Sequence, residues 1–190
     1  YYPREYMAAL MTSVLDSSVK ISEYIAECRA MDIALLPPDI NESNDNFTVV
    51  PGGIRFGLAA IKNIGRGFIL KVMDEREQHG KFTSLEDFAL RMYGTDLNKR
   101  ALENLIKAGA CDGFGLNSAQ MLRMYELIMD AAANQKSKNV EGQMGLFDLL
   151  SDEDAPAAMP AIPVPNIPEL STQEKMSLEK QTTGLYLSGH

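Results

Sequence analysis

Apolar residues recur every three or four positions along most of this chain, which is the spacing of helices that bury one face. Pro3 suits the first turn of a helix. One helix face then carries Tyr6, Met7, Leu10, Met11 and Val14. A second face, on a helix that Asp16 or Ser17 can cap, carries Ile21, Tyr24, Ile25 and Cys28. Because Pro37 and Pro38 stop helical structure, we expect two helices within residues 1–40.

The pattern changes to alternation between Phe47 and Phe56, which is typical of strands with one buried face. Phe47 and Val49 precede the turn sequence Pro51-Gly52-Gly53, and Ile54 and Phe56 follow it. This arrangement predicts a small β-hairpin.

The hairpin leads into residues 56–73, which are typical of a short helix, a tight turn and a longer helix. Apolar positions at helical spacing are Leu58 and Ile61 before the turn and Phe68, Ile69, Val72 and Met73 after it. Asn63 and Gly65 adopt a positive φ more readily than other residues, so we expect both to do so in the turn. Ile64 is predicted to fill the space between the two helices.

The second of these helices is predicted to begin with amides that have no intrahelical partner, those of Gly65, Arg66, Gly67 and Phe68. N–H donors at the positive end of a helix dipole suit a phosphate. This is the layout of a helix-hairpin-helix unit, which binds the nucleic-acid backbone without reading sequence. The alternative is a structural corner in which the glycines only permit the turn.

A second helix–turn–helix follows. Thr83 and Glu86 can form a capping box, and Asn98 can cap a helix from Lys99 to Ala108 that ends at Gly109. The turn at residues 111–115 precedes a helix that starts at Asn117 or Ser118 and is lined by Met121, Leu122, Tyr125, Ile128 and Met129. Two units favour a tandem arrangement that straddles a duplex, although the pattern leaves open which turn forms the second hairpin.

The formal net charge of −8 argues against a generic nucleic-acid binder, so its distribution matters. Residues 54–110 hold ten Lys and Arg against seven Asp and Glu, whereas the remainder holds eight against nineteen. The hairpin region is therefore mildly basic. The residues that we predict to contact DNA are Lys62, Asn63, Ile64, Gly65, Arg66 and Gly67 in the first unit, and Lys99, Arg100, Gly113 and Gly115 in the second.

The remaining composition excludes several classes of protein. Cys28 and Cys111 lie on apolar faces, and two cysteines with two histidines make no convincing zinc site, so we expect buried free thiols, no metal and a cytoplasmic location. No apolar run reaches the length of a membrane span. The 190 residues run from Tyr1 to His190 without a terminal turn or tail, so we expect a fragment of a longer protein.

The last third of the chain changes character beyond Ala133, where residues 134–139 are polar. An apolar island follows, in which Gln143 precedes Leu146 and Phe147 by three and four positions. Residues 151–168 contain five prolines and several acidic residues, which predicts an extended flexible linker. Ser171 and Glu174 can cap a closing helix through Lys180.

Several long strings resemble the bacterial replicative DNA polymerase III alpha subunits, in the same order and essentially from end to end. They are YPREYMAAL (residues 2–10), LPPDINES (36–43), IRFGLAAIKNIG (54–65), LIKAGA (105–110) and GLYLSGH (184–190). One departure is Asn63, which stands where the general helix-hairpin-helix pattern has Gly. Because Asn tolerates the same backbone region, the match is weakened only slightly.

The resemblance implies a mainly α chain with five parts. Residues 1–40 would be the helical end of the fingers, 41–135 a tandem helix-hairpin-helix domain with a small β-hairpin, 136–150 a segment that binds the sliding clamp, 151–168 a linker and 169–190 the lead into an OB-fold. Clamp binding would involve Gln143, Met144, Leu146 and Phe147. A short amphipathic piece folded back on the domain is the alternative for that segment.

The resemblance also implies a non-catalytic piece of a DNA polymerase, since the catalytic carboxylates of the family, and the Mg²⁺ of the parent enzyme, lie upstream of this chain. Its partners would be duplex DNA, the sliding clamp and the rest of the polymerase, with no cofactor or membrane of its own. Two other classes compete. A helix-hairpin-helix glycosylase would need a catalytic Asp or Lys such as Asp74 or Lys71, and a protein-interaction scaffold would explain the acidity.

Overall fold

The computed structural model describes residues 2–144 and 161–185 of the chain. In sequence order the elements are α1 (Pro3–Ser13), α2 (Ser18–Ala30), β1 (Leu35–Leu36), β2 (Thr48–Val50), β3 (Gly53–Arg55), a 3₁₀ turn (Leu58–Ala60), α3 (Arg66–His79), α4 (Leu85–Met92), α5 (Lys99–Lys107), a second 3₁₀ turn (Asp112–Phe114), α6 (Ser118–Met144) and α7 (Thr172–Thr183). The predicted class, mainly α with a small β-hairpin, is confirmed.

The smaller of two hydrophobic cores lies between α1, α2 and the sheet. Its largest members are Met7, Met11, Ile21, Phe47, Ile54 and Phe56, and the Phe47 and Phe56 rings meet edge to face at 4.9 Å. Ser17 caps α2 by accepting from the Lys20 amide, one of the two residues proposed for this role. The two predicted helices therefore bury their apolar stripes against the β-hairpin.

The sheet contains one strand more than predicted. β2 and β3 form the expected antiparallel hairpin, and β1 pairs with β3 in parallel, with Leu35 opposite Ile54. β1 has two residues directly before Pro37, so it is too short to show the alternation by which strands are recognised. It closes the edge of β3 that would otherwise be unpaired.

The larger core lies between α3, α4, α5 and α6. Its fully buried members include Ile69, Val72, Leu85, Phe88, Leu102, Leu105, Met121 and Ile128. Cys111 is buried here and Cys28 in the smaller core, and both are free, as predicted. Burial raises the pKa of each thiol, so neither is a reactive thiolate at neutral pH.

The loop before β2 connects the two cores. Asn41 both donates to and accepts from the backbone of Phe82, and the Ile40 amide donates to the Ala110 carbonyl at 2.9 Å. The Ser43 hydroxyl donates to the Phe56 carbonyl inside the structure. These contacts fix the positions of the carboxylates that the loop carries.

One predicted helix cap is wrong by one residue. The cap of α4 is Ser84, which accepts from the Asp87 amide, rather than Thr83 with Glu86. The same Ser/Thr-x-x-acid spacing occurs twice in succession, so the pattern alone cannot select one. The polar residues 134–139 continue α6, since no proline interrupts the helix before Met144.

Part of the predicted linker is attached to the domain. Residues 151–160 lie outside the described residues, and residues 161–168 are extended without helix or strand. The Asn117 side chain donates to the Ile167 carbonyl and the Gln120 side chain to the Pro165 carbonyl, both at 3.1 Å. The flexible linker that the prolines predict therefore does not extend through this stretch, whose carbonyls are bound to α6.

Candidate nucleic-acid interface

The first hairpin is the turn between the 3₁₀ turn Leu58–Ala60 and α3. Asn63 has a φ of +64°, as expected for the residue that reverses the chain. Gly65 does not share this conformation: its φ is −76° and its ψ 147°, and it serves as the N-cap of α3. The expectation of a positive φ at Gly65 is therefore wrong, because a single left-handed residue is sufficient to make the reversal.

The side chains of this turn divide into a buried and an exposed set. Ile61 and Ile64 are 2% and 9% exposed, so Ile64 fills the space beneath the turn as predicted. The exposed set is Lys62, Asn63, Gly65, Arg66 and Gly67. The structure thus places five of the predicted DNA-contacting residues at one surface, with the sixth, Ile64, buried beneath them.

The backbone of Lys62 is held on both sides. Its N–H donates to the Thr182 carbonyl of α7 at 2.7 Å, and its carbonyl accepts from the Asn104 side chain of α5 at 2.9 Å. Asn104 is only 9% exposed. Sequence reasoning missed both partners, although a polar residue within the apolar stripe of α5 was a usable signal.

The N-terminus of α3 points open amides at the exposed surface. The first bond within the helix runs from the Ile69 amide to the Gly65 carbonyl, and no side chain caps the helix. Among the described residues, no acceptor is recorded for the amides of Gly65, Arg66, Gly67 and Phe68. These four donors and the positive end of the helix dipole make an anion-binding surface.

Basic side chains flank these amides. Lys62 and Arg66 are both exposed, and the Arg66 guanidinium lies 3.3 Å from the Asp45 carboxylate. Arg100 lies one helical turn before Asn104 on α5, hence on the face that contacts the hairpin. Lys99 instead pairs with Asp130 of α6 at 3.0 Å.

The second hairpin runs from the end of α5 to the start of α6. Gly109 and Gly115 have φ values of +87° and +84°, and the 3₁₀ turn Asp112–Phe114 lies between them. Asn117 begins α6: its side chain accepts from the Gln120 amide while the Gln120 side chain accepts from the Asn117 amide. A helix–turn–helix is therefore present where the second unit was predicted.

Carboxylates surround this second turn. Glu169 accepts from the amides of Ser118 and Ala119 at the start of α6. A Cβ on Gly113 would lie 3.3 Å from an oxygen of Asp39. Desolvation, and the neighbouring Glu169 and Glu179, raise the pKa of Asp112 although Lys175 opposes them. Gly113 and Gly115 thus lie in an acidic setting, far less suited to phosphate than the first turn.

The clamp-binding residues are only partly within the described chain. Gln143 and Met144 form the end of α6, whereas Leu146 and Phe147 lie outside the described residues. The two residues considered for a glycosylase lie on the exposed surface of α3, where Asp74 accepts from Gln78 and Lys71 pairs with Asp96. Across residues 2–144 and 161–185, no three His, Cys, Asp or Glu residues gather as metal ligands would.

Comparison with known proteins identifies relatives over the full chain. Residues 32–121 match the helix-hairpin-helix motif family. DNA polymerase III alpha subunits are 39% identical in Deinococcus radiodurans, 40% in Thermus aquaticus and 41% in Neisseria meningitidis serogroup B, each over 100% of this chain. Over its full length the chain is similar to one segment of the DNA polymerase III alpha subunits. It spans 14 to 16% of the length of these relatives.

The matched helix-hairpin-helix region includes both turns and the loop that carries Asp39 and Asp45. None of the helices formed by the described residues combines the length and apolarity that crossing a membrane requires.

Proposed function

We propose that this chain is a non-catalytic segment of a replicative DNA polymerase and that it binds the backbone of duplex DNA through its first hairpin. The observation that carries this proposal is the open N-terminus of α3, whose four amides lie at an exposed turn between Lys62 and Arg66. The relatives named DNA polymerase III alpha subunits support a role in DNA synthesis for the whole protein.

The contacts would be independent of sequence. Backbone amides and basic side chains reach phosphate oxygens, which are the same at every base pair. Asn63 and Ile64 shape the turn, and the exposed glycines Gly65 and Gly67 let a DNA strand approach the amides closely. Arg100 extends the basic surface along α5.

Titration of a labelled duplex at two salt concentrations tests the proposal. Lys62→Gln and Arg66→Gln are compared with Lys138→Gln and Arg29→Gln, which remove the same charges at exposed positions on α6 and α2. Each hairpin variant should weaken binding and reduce the salt slope by about one, since one phosphate contact is lost. Equal losses in the hairpin variants and their controls would contradict the proposal and favour an interaction scaffold.

We also propose that residues 143–147 tether the polymerase to its sliding clamp. The support is the sequence pattern, in which Gln143 offers a polar contact that fixes register and Leu146 and Phe147 offer adjacent apolar side chains. Burial of each apolar side chain contributes about 1.5–3 kcal/mol, and ordering the chain costs about 1 kcal/mol per residue. The resulting affinity is on the order of micromolar, and DNA bound beside the tether raises the effective concentration.

Phe147→Ala should abolish clamp binding and leave duplex affinity unchanged. Leu150→Ala is the control, because it removes an apolar side chain just beyond the motif. The measurement is the affinity of the clamp for each variant immobilised on a sensor surface. If the parent and Phe147→Ala bind the clamp with the same affinity, the proposal is contradicted, and the motif is instead a short amphipathic piece that packs against the domain.

The polymerase reaction and its Mg²⁺ belong, in this proposal, to the rest of the parent chain. Nucleotidyl transfer needs carboxylates that bind a pair of metal ions. Primer extension by this segment alone should not exceed a buffer control.

A further inference from the structure

The second hairpin already binds an anionic group of its own chain. The Glu169 carboxylate accepts from the Ser118 amide at 3.1 Å and from the Ala119 amide at 3.4 Å, at the N-terminus of the long helix α6. It also accepts from the Leu170 amide at 2.8 Å and lies 3.4 Å from the Lys175 ammonium. The carboxylate thus occupies the position at which a helix-hairpin-helix turn would present its amides to phosphate.

The residues just before Glu169 are also hydrogen-bonded to the N-terminus of α6. Asn117 and Gln120, which cap α6 reciprocally, also donate their side-chain amides to the carbonyls of Ile167 and Pro165. Residues 165–169 therefore accept from the amides of Ser118 and Ala119 and from both capping side chains. The C-terminal segment, residues 161–185, is anchored here.

The far end of the C-terminal segment reaches the first hairpin. Ser171 and Glu174 form a capping box that starts α7. Thr182 and Thr183 are 1% and 3% exposed at its end, and the Thr182 carbonyl accepts from the Lys62 amide at 2.7 Å. Gly184 then packs so closely that a Cβ would lie 2.6 Å from the Ser18 side chain. One segment therefore contacts both hairpins.

We propose that Glu169 is a positioning residue, which takes the place of a phosphate on the second hairpin and thereby fastens α7 so that Thr182 holds the first hairpin in its DNA-binding conformation. This inference rests on the proposed function of the first hairpin. It assigns DNA binding to one hairpin and attachment of the C-terminal segment to the other.

The surroundings of Glu169 favour this role over the alternative of a latch, which would cover a second DNA-binding site and release it when DNA binds. If the carboxylate left, the turn would still face Asp39 and Asp112, whose charges repel phosphate. By contrast, the Glu169 carboxylate is electrostatically stabilised where it lies. Burial acts to raise the pKa of Glu169, but the amides of Ser118 and Leu170, together with Lys175, outweigh it and lower the pKa.

Glu169→Gln and Glu169→Ala test the inference, with Glu23→Gln as the control for the change in net charge, since Glu23 is exposed on α2. Relative to the control, both variants should bind duplex about five-fold or more weakly. Hydrogen exchange should become faster at the amides of Lys62 and Ser118. Tighter duplex binding than in the control would overturn the inference and make Glu169 a latch, and unchanged exchange at Lys62 would overturn it as well.

A measurement on the parent protein covers the case in which the variants do not fold. Coupling between two sites is reciprocal, so adding duplex should slow hydrogen exchange at the amide of Ser118 as well as at Lys62. Slower exchange confined to the first hairpin would overturn the inference while leaving the proposed function intact. If the parent does not bind duplex at low salt, the proposed function fails, whereas exchange at Lys62 in the Glu169 variants still decides whether α7 is fastened through Glu169.

Discussion

The two hairpins of this chain share one sequence pattern and differ in what their helix termini contact. At the first, the amides that open α3 have no recorded acceptor among the described residues, and Lys62 and Arg66 flank them. At the second, the amides that open α6 are bonded to Glu169 beside further carboxylates. A turn with the right shape is therefore not sufficient for phosphate binding. The amides at the helix terminus must also be free of acceptors from the chain itself.

The difference arises from residues far away in sequence. One loop carries Asp45 to the first hairpin and Asp39 to the second, and Glu169 is separated from Ser118 by 51 positions. Asp45 lies against the Arg66 side chain and leaves the amides open, whereas Glu169 binds amides directly. The first hairpin keeps a positive surface and the second does not.

The largest effect is expected from Asn63→Val in the first hairpin. A β-branched residue at a φ of +64° is strained by about 1–3 kcal/mol, so the turn should rearrange, with loss of both stability and duplex binding. Asn63→Gly is the matched control, because Gly adopts this conformation freely and should retain binding. Thermal unfolding and duplex titration provide the readouts, and a Val variant that binds like the Gly variant would contradict the role of this turn.

Gly65 should be far more tolerant than the sequence suggests. Its φ is −76°, and among the described residues no atom lies within 4 Å of a Cβ built there, so backbone strain is not expected from a side chain. The argument from strain applies to Asn63 instead.

The next effect concerns the second hairpin, where Gly115→Ala places a side chain at a φ of +84°. The variant should lose about 1 kcal/mol of stability, because the left-handed conformation disfavours a Cβ. Its duplex affinity, measured well below the unfolding temperature, should match the parent, in contrast to Asn63→Val. A loss of duplex affinity with an intact fold would show that the second hairpin also contacts DNA.

Local features of this structure could be predicted from sequence, and long-range polar contacts could not. Helix stripes, the left-handed Asn63 and the cap at Ser17 each depend on residues within a few positions of one another. The bonds from Asn104 to Lys62 and from Ser118 to Glu169 join residues 42 and 51 positions apart. Hydrophobic periodicity carries no information about such distant pairs, so the two hairpins could not be distinguished from the sequence.

A smaller effect should follow from pH at the second hairpin. The pKa of Glu169 is lowered from its ordinary value of 4.5, so the stability that it contributes is present above pH 4.5 and is lost as the pH falls through the folded-state value. The protection factor of the Ser118 amide, which corrects for the slower intrinsic exchange at low pH, should therefore fall on acidification before the protection factors in the core of α6 do. Asp112, whose pKa is raised, acts in the opposite direction: its contribution is present at low pH and is lost as the pH rises through the raised pKa. If the protection factors of Ser118 and the α6 core fall together, Glu169 does not hold the segment in place.

The smallest effect is expected from Asp45→Asn, which makes the first hairpin more unlike the second. The change removes the partner of Arg66, whose side chain is 72% exposed, so that Arg66 no longer breaks this ion pair when it contacts a phosphate. An ion pair with an exposed partner contributes about 0.2–1 kcal/mol, so duplex affinity should rise by a factor between about 1.4 and five.

Asp96→Asn is the matched control for this change. Asp96 also pairs with a basic residue of α3, since Lys71 lies 3.6 Å away, but Lys71 is more than one helical turn further from the N-terminus of α3 than Arg66 is. Both variants change the net charge equally, so a general electrostatic effect would strengthen binding by the same factor in each. A gain specific to Asp45→Asn, measured by duplex titration at low salt, would place Arg66 at the phosphate. Equal gains would mean that Arg66 is not in contact with DNA and that the amides of α3 and Lys62 bind the backbone without it.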